Sequence, residues 1–205
     1  MGSAELKSDE YLTIQKESEG IFKAKGSKFI AYAFPVFNQA GIKTALAKVR
    51  EIHPKARHHC YAWKLGLDDN NYRANDDGEP SGSAGRPIYG QIRSKNLTNV
   101  IVIVVRYFGG TLLGVPGLIE AYKKSTKDAL EQAQIITRQI QQRFVIHFTY
   151  AEMNVVMSAI KKLKLTVIKK VFQESCQIEV EMRQSLVNGF TQQFGKIEGV
   201  KIEDI

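Results

Sequence analysis

The residues best suited to chemistry lie in one stretch, Asn75–Ile92, which reads NDDGEPSGSAGRPIYGQI. Three carboxylates, those of Asp76, Asp77 and Glu79, precede a turn rich in glycine and serine, and Arg86 follows the turn. These residue types are compatible with a catalytic or metal-binding loop, with a cradle for an anion, or with a capped start of a helix. The residues alone favour some of these three kinds of loop over others but do not select one.

The turn predicts an anion-binding site. Backbone N–H groups at the start of a helix lack partners within the helix, and the helix dipole favours a negative charge there. Arg86 can add a charge-assisted hydrogen bond. The alternative is that Ser81 or Ser83 caps the helix and the glycines only form turns. Together with a second glycine-rich loop, the candidate anion-binding residues are Gly78, Ser81, Gly82, Ser83, Gly85, Gly109 and Gly110.

Two other chemistries have weaker support in the residues. The three acids of the loop could hold a magnesium ion, because hard cations prefer carboxylate oxygens, although such loops are more often solvated turns. A second cluster lacks both zinc-ligand spacing and the signature of a Cys–His nucleophile. It consists of His53, His58, His59 and Cys60. We therefore predict no catalytic residue, no metal site and no cofactor.

A basic face is the second candidate site. Arg106 ends an apolar strand and is followed by the glycine-rich FGGTLLG, which repeats the layout of the first loop. With lysines on the exposed side of the next helix, these cations could bind phosphates. The predicted contacts are Arg86, Arg106, Lys123, Lys124 and Lys127. Some of this charge is neutralised locally, because Glu120 and Glu131 lie four residues from Lys124 and Lys127.

The elements that position these residues follow from the hydrophobic pattern. Apolar runs predict strands over Lys28–Phe37 and His58–Gly66, the first of them covered on both faces. Val100–Tyr107 is the most strand-like run, and we predict that it is a central strand. Leu67–Ser83 is expected to be a polar loop, and a helix is expected to start near Pro116.

The last 70 or so residues predict a different domain. Their pattern reads β-α-β-β-α-β, the order of a ferredoxin-like domain. We therefore expect an α+β protein with two domains, residues 1–134 and 135–205. In the second domain Ile178, Val180 and Met182 should face the core, which leaves Glu179 and Glu181 on the open face. Carboxylates there would repel phosphates, so this domain is not expected to stack RNA bases in the usual way.

Composition limits the functional class. The chain of 205 residues is 43% hydrophobic and 24% charged, as in globular proteins, and has no apolar run long enough to span a membrane. The polar N-terminus lacks the apolar core of a secretion signal, and two distant cysteines suit a reducing cytoplasm. The net charge of +8 favours a polyanionic partner. It divides into +5 for residues 1–134 and +3 for residues 135–205.

Three blocks of sequence resemble the Impact family, in its bacterial YigZ-type branch. They read ARHHCYAW at Ala56–Trp63, DDGEPSGSAG at Asp76–Gly85, and VVRYFGG at Val104–Gly110 with Leu113-Gly114. The resemblance implies an N-terminal domain similar to the fourth domain of the translocation elongation factor, and a C-terminal domain similar to its ferredoxin-like fifth domain. This chain has Val115-Pro116-Gly117 where the family often has Gly-Gly. Because proline removes an N–H donor, the first loop is the better candidate for anion binding.

The resemblance and the basic charge together predict a cytoplasmic accessory protein that contacts RNA or the ribosome, with a role in translation regulation. One alternative is a regulator that binds a translation-related protein, as eukaryotic Impact proteins do when they compete for the activator of an amino-acid-starvation kinase. That specific role is not carried over to this chain. A second alternative is a metal-dependent hydrolase that uses Asp76, Asp77, Glu79 and His58.

Overall fold

The computed structural model describes residues 9–205. Residues 1–8, which contain most of the polar N-terminus, lie outside the described residues. By contacts the chain divides into two compact units, Tyr11–Arg138 and Gln139–Ile205, the latter with residues 9 and 10. Among the described residues, no helix is long and apolar enough to cross a membrane.

The unit Tyr11–Arg138 contains three helices and two antiparallel sheets. Its elements are β1 (Glu10–Ile14), β2 (Ser18–Ala24), β3 (Ser27–Pro35), α1 (Gln39–Ile52), β4 (His58–Lys64), β5 (Tyr72–Asn75), α2 (Gly85–Ser94), β6 (Val100–Tyr107), α3 (Gly114–Gln132) and β7 (Ile135–Gln139). The larger sheet has the order β2-β3-β6-β4-β5, and the strands β1 and β7 form a separate pair.

Both faces of the five-stranded sheet are covered, which explains its apolar strands. The side chains of β6 alternate between two cores, so nearly the whole strand is buried and its central position is confirmed. One core packs α1 against the sheet through Ile42, Ala45 and Val49. The other core packs α2 and α3 against the opposite face. As predicted, β3 is apolar on both sides because it contributes to both cores.

Two short strands of this unit were not predicted. The expected loop Leu67–Ser83 contains β5, a short polar edge strand whose Tyr72 pairs with Lys64 of β4. Strand β7 was not predicted, although Gln15 N–H donates to the carbonyl of Gln134 beside it. The predicted start of helix α3 near Pro116 is confirmed, because the helix begins at Gly114 and Pro116 lies within its first turn. Short polar strands carry little periodic signal, because they contain too few apolar residues to show an alternation.

The unit around Gln139–Ile205 has one antiparallel sheet of order β11-β8-β10-β9. Its elements are β8 (Gln141–Phe148), α4 (Met153–Lys162), β9 (Thr166–Phe172), β10 (Cys176–Arg183), α5 (Val187–Phe194) and β11 (Lys201–Asp204). One core joins both helices to one sheet face and includes the buried Ile178, Val180 and Met182. On the other face, Arg143 forms ion pairs with Glu179 and Glu181. The predicted orientation of β10 is confirmed.

Candidate functional site

The carboxylate of Asp76 occupies the start of α2. Its Oδ1 accepts hydrogen bonds from the backbone N–H groups of Ala84 at 3.0 Å and Gly85 at 2.8 Å, and its Oδ2 accepts one from Gly82 at 2.8 Å. Burial opposes the charged form, but these N–H groups and the nearby Arg86 outweigh it and lower the pKa of Asp76 below its ordinary value. The turn does gather donors around an anion, and that anion is the chain's own side chain.

The predicted anion-binding residues of the first loop are therefore largely engaged inside the protein. An external anion would have to displace Asp76 from Gly82 and Gly85. The backbone N–H and the Oγ of Ser83 both donate to the carbonyl of Pro80, and Ser81 is exposed. Neither serine caps α2. Gly78 and Gly82 have φ of +87° and +75°, which a turn of this shape requires.

Asp77 faces the start of β4 and not a cation. Its Oδ2 accepts a hydrogen bond from the backbone N–H of His59 at 2.7 Å. Its carbonyl oxygen lies 2.8 Å from Nδ1 of His58, which therefore carries the proton. The residue has φ of +41°, a conformation that acids and amides tolerate better than most side chains. Asp77 thus fastens the loop to the neighbouring strand.

Glu79 forms the centre of a buried network. Its two carboxylate oxygens lie 2.8 and 3.0 Å from one guanidinium nitrogen of Arg106, and Tyr122 donates to Oε1 at 2.8 Å. The thiol of Cys60 lies 3.2 Å from the Tyr122 hydroxyl and 2.9 Å from the carbonyl of Asp76. The side chains of Glu79 and Arg106 are only 3% and 9% exposed. The network joins β4, β6, α3 and the acidic loop.

This arrangement is unsuited to nucleophilic catalysis. Burial raises the pKa values of the Cys60 thiol and the Tyr122 hydroxyl well above their ordinary values, so neither is ionised near neutral pH. Within residues 9–205, the thiol has as its hydrogen-bond partners the Tyr122 hydroxyl and the Asp76 carbonyl, and neither is a histidine that could accept its proton. The network therefore holds the loop in position and does not present a reactive group.

The histidines near Cys60 do not converge either. His53 bridges two tyrosines, with Nε2 at 2.8 Å from the Tyr32 hydroxyl and Nδ1 at 2.9 Å from the Tyr107 hydroxyl. Burial lowers the pKa values of His53 and His59, which favours their neutral forms. Within residues 9–205, no group of three or more His, Cys, Asp or Glu side chains is arranged to hold a metal ion. The three acids of the loop instead meet three different sets of protein donors.

The second glycine-rich loop packs tightly against the β2–β3 turn. The backbone N–H of Gly109 donates to Oγ of Ser27 at 3.1 Å, and its Cα faces the backbone of Gly26. Gly110 is exposed, with φ of +85°. The loop places the ring of Phe108 against the guanidinium of Arg106, at 5.6 Å from the ring centroid.

The structure does not bring the predicted basic residues into one cluster. Arg106 is buried with Glu79, while Lys124 and Lys127 lie 3.2 and 3.6 Å from Glu120 and Glu131. Lys124 also lies over the ring of Phe22 on β2, at one edge of the sheet. Arg86 belongs to α2, which packs over β4 and β5 at the opposite edge. Lys123 is exposed on α3.

A cleft that was not predicted lies beside Arg86. It has a volume of about 850 Å³, and the rings of Tyr72 and Tyr89 stack along it with centroids 4.1 Å apart and an angle of 7° between their planes. Arg73, Arg86 and Arg93 also line it, and all three are exposed. We name these five residues the arginine–tyrosine cleft. On α2, residues 86, 89, 90 and 93 follow helical spacing, a signal in the sequence that could have revealed half of the cleft.

Comparison with known proteins decides the family. The Impact N-terminal domain matches residues 25–130, more than half of the chain. The chain belongs to the Impact family. The matched segment contains the acidic loop, the Glu79–Arg106 network and the arginine–tyrosine cleft.

Individual Impact relatives extend the match. The family member YigZ of Escherichia coli K12 is 40% identical over 110 residues, which are 53% of this chain and 54% of YigZ. YvyE of Bacillus subtilis 168 is 28% identical over 182 residues, which are 89% of this chain and 84% of YvyE. A crystal structure of a hypothetical protein aligns with a TM-score of 0.74 at 26% identity, covering 97% of this chain and 98% of that one. The resemblance to YigZ-type Impact proteins is confirmed.

Proposed function

We propose that this Impact protein is a cytoplasmic, RNA- or ribosome-associated accessory protein in translation regulation, and that it contacts RNA through the arginine–tyrosine cleft. The observation that carries the proposal is the cleft itself, in which Arg73, Arg86 and Arg93 surround the stacked rings of Tyr72 and Tyr89. Arginine suits phosphate oxygens because its planar fork can donate two hydrogen bonds at once. Tyrosine rings offer faces on which unpaired bases stack.

The electrostatics of the cleft support an anionic ligand. None of the described residues that line it is acidic. The nearby Asp69 is already engaged, since its Oδ1 lies 2.6 Å from Nζ of Lys64. That lysine and, more weakly, Arg93 lower the pKa of Asp69. Asp76, which lies near Arg86, is likewise engaged by the backbone N–H groups of Gly82, Ala84 and Gly85, so the arginines of the cleft remain available for phosphates.

The distribution of charge along the chain also favours RNA binding by the unit Tyr11–Arg138. Residues 11–138 carry 19 Lys and Arg against 11 Asp and Glu, a net charge of +8. The remaining residues carry 10 of each and are neutral. A polyanion is attracted more strongly by a basic unit than by a neutral one.

The finer fold assignments belong to this proposal. The unit around Gln139–Ile205 is assigned to the ferredoxin-like class, because its elements run β-α-β-β-α-β and its sheet has the first and third strands in the centre. The unit Tyr11–Arg138 is assigned to the ribosomal-protein type found in the fourth domain of the translocation elongation factor. The functional assignment rests on the residues of the cleft and not on the fold.

The proposed contact surface revises the one expected from the sequence. Arg86 is kept and is joined by Arg73 and Arg93. Lys123, Lys124 and Lys127 are assigned a smaller part, since two of them are paired with glutamates on α3. Arg106 is not assigned a direct phosphate contact, because Glu79 occupies its guanidinium.

The test is RNA affinity across a salt series, measured by fluorescence anisotropy with a short unstructured RNA. We expect the Arg73→Ala/Arg93→Ala variant to bind more weakly, and each lost phosphate contact to lower the slope of log K against log salt by about 0.7. Tyr72→Ala should cost about 1–3 kcal/mol of binding free energy with little change in slope, because stacking involves no ion release.

Two matched variants serve as controls. Lys123→Ala/Lys127→Ala removes two cations from α3, and we expect a smaller loss of affinity than for the arginine pair. Arg50→Ala removes an exposed cation from α1, on the opposite face of the sheet, and should leave affinity nearly unchanged. If the arginine variant keeps the wild-type affinity and slope, RNA does not bind in the cleft.

A protein partner is the second candidate, favoured by an exposed apolar stripe. Leu112, Val115 and Ile119 follow helical spacing across the start of α3, and all three are exposed. Exposed apolar stripes of this kind often mark protein-binding surfaces. A partner that persists after nuclease treatment and is lost in Val115→Asp/Ile119→Asp would support this alternative, whereas loss on nuclease treatment would favour RNA.

A further inference from the structure

A second cleft lies where β4 begins and β6 ends. It has a volume of about 410 Å³ and is lined by Lys55, Arg57, His58, Arg106, Tyr107, Phe108 and Leu112. It shares no residue with the arginine–tyrosine cleft. The register of the sheet places His58 opposite Arg106 and Tyr72 opposite Lys64, at the two ends of β4. At 3.3 Å per residue these ends are about 20 Å apart.

The polar side of this cleft is basic. Lys55 and Arg57 are exposed in the turn before β4, and none of the described lining residues is acidic. Arg106 is nearly buried, and its Nε–H has no protein acceptor within residues 9–205, although Glu79 occupies its Nη1. A buried donor without a partner is uncommon in proteins and calls for a ligand or another explanation. Lys55, Arg57 and the Nε–H of Arg106 together favour binding of an anion in this cleft.

The other side of the cleft is apolar and aromatic. The guanidinium of Arg106 lies between the rings of Phe29 and Phe108, at 5.6 Å from each centroid. Phe108 is nonetheless 58% exposed, so a large part of its ring is open to solvent. Leu112 is 81% exposed beside it. A flat ring stacked on Phe108 would cover apolar surface that this unit leaves open.

We propose that this cleft binds a nucleoside monophosphate, whose base stacks on Phe108 and whose phosphate is held by Lys55, Arg57 and the free Nε–H of Arg106. The volume is within the range of small-molecule sites, and the combination of an apolar wall with a few convergent polar groups is typical of them. Arginine and lysine can bind phosphate through charge-assisted hydrogen bonds, and any of the bases can stack on an aromatic ring. The site does not depend on RNA binding in the other cleft.

The test is titration of the full chain with AMP by isothermal calorimetry, with adenosine and inorganic phosphate as partial ligands. We expect AMP to bind more tightly than either fragment, because each fragment occupies only half of the site. Phe108→Ala should weaken AMP binding about tenfold, since base stacking contributes about 1–3 kcal/mol and 1.4 kcal/mol is tenfold. Arg57→Ala should weaken it by a similar factor, because a hydrogen bond to a charged phosphate contributes about 1.5–3 kcal/mol. Both side chains are exposed, so the fold should survive their removal.

The fluorescence of Trp63, the single tryptophan and a residue of the core of this unit, verifies the fold of each variant. Arg106→Ala is avoided, because it would leave Glu79 buried without its partner. The control Arg73→Ala/Arg93→Ala should bind AMP as the wild type does. Absence of AMP binding at millimolar concentration overturns the inference, as does AMP binding that both Arg57→Ala and Phe108→Ala leave unchanged. RNA binding should persist in Phe108→Ala. Failure of the AMP inference and failure of the proposed RNA-binding function can therefore be told apart.

Discussion

At the scale of single residues, the acidic loop is stabilised by carboxylates that differ sharply in burial. Glu79 is almost fully buried with Arg106 and Tyr122, whereas Asp76 is partly exposed at the start of α2. Buried and exposed ion pairs differ in how much the loss of one partner costs. Removing one partner of a buried pair leaves an uncompensated charge, while a surface pair contributes little.

We therefore expect Glu79→Gln to destabilise the protein by about 3–5 kcal/mol, because Arg106 would keep its charge in a buried position. The measurement is urea unfolding followed by Trp63 fluorescence. The matched control is Glu120→Gln, which breaks the half-exposed pair with Lys124 and should cost at most about 1 kcal/mol. Equal effects of the two variants would show that Glu79 and Arg106 do not form a buried pair.

Asp76 gives the loop a pH dependence. Because the pKa of Asp76 is lower in the folded protein than its ordinary value of 3.8, its carboxylate stabilises the fold fully at neutral pH. That contribution is lost as the pH falls from the ordinary value through the lowered one. Asp76→Asn should reduce the free energy of unfolding at pH 7 by about 0.5–2 kcal/mol, as a lost helix cap does.

The gap between the wild type and Asp76→Asn should then narrow as the pH falls below 4, since protonation removes the charge from the wild type as well. The comparison uses urea midpoints at several pH values. Asp68→Asn, an exposed acid in the loop before β5, is the control and should show a small gap at every pH. A gap for Asp76→Asn that stays constant down to pH 2 would contradict the assigned role.

At the scale of elements, two glycines differ in whether the packing around them requires a residue without a side chain. The loop after β6 and the β2–β3 turn approach so closely that a Cβ on Gly109 would lie 1.9 Å from the carbonyl carbon of Gly26. Gly90, on α2, has open space where its Cβ would be. The first glycine is required by packing, whereas the second only adds flexibility to a helix.

Gly109→Ala should consequently destabilise the protein by about 1–3 kcal/mol, the usual cost of forcing extra atoms into a packed contact. Gly90→Ala should stabilise it by about 0.5–1 kcal/mol, because alanine loses less backbone freedom in a helix. Both shifts can be read from thermal or urea unfolding. If Gly109→Ala leaves stability unchanged, the loop and the turn are not in contact as described.

At the scale of the whole molecule, charge is concentrated in one unit. The boundary that gives +5 and +3 for residues 1–134 and 135–205 hides this, because it counts the acidic residues 9 and 10 with the first unit and Arg138 with the second, whereas contacts group them the other way. Regrouped in this way, residues 11–138 carry the entire net charge. Proximity in the fold, and not order in the chain, decides which unit attracts a polyanion.

Charge reversal should therefore have unequal effects in the two units. Lys169→Glu/Lys170→Glu changes two exposed lysines of the neutral unit and should alter RNA affinity less than about twofold at moderate salt, because salt screens charges that make no direct contact with the RNA. Arg73→Glu/Arg93→Glu should abolish measurable binding under the same conditions. Similar losses in both variants would indicate that RNA binding follows total charge and not one cleft.

Much of the fold could be predicted from the sequence. Apolar alternation identified β3, β6 and β10 with the correct faces, and three motif blocks identified the Impact family. The start of α3 near Pro116 was also predicted, whereas short polar strands were not. Strand β5 illustrates the limit, because its Tyr-Arg-Ala-Asn sequence has no apolar face and is held by pairing with β4.

The chemistry around the acidic loop required the tertiary structure. The sequence shows three acids and an arginine, but not that Asp76 meets the start of α2 while Glu79 meets Arg106, 27 residues away. The arginine–tyrosine cleft likewise combines Arg73 of β5 with Arg93 of α2. Local patterns determine helices, strands and family, because those depend on neighbours in the chain. Which side chains share a site depends on strand order and helix packing, and these bring together residues that no local pattern connects.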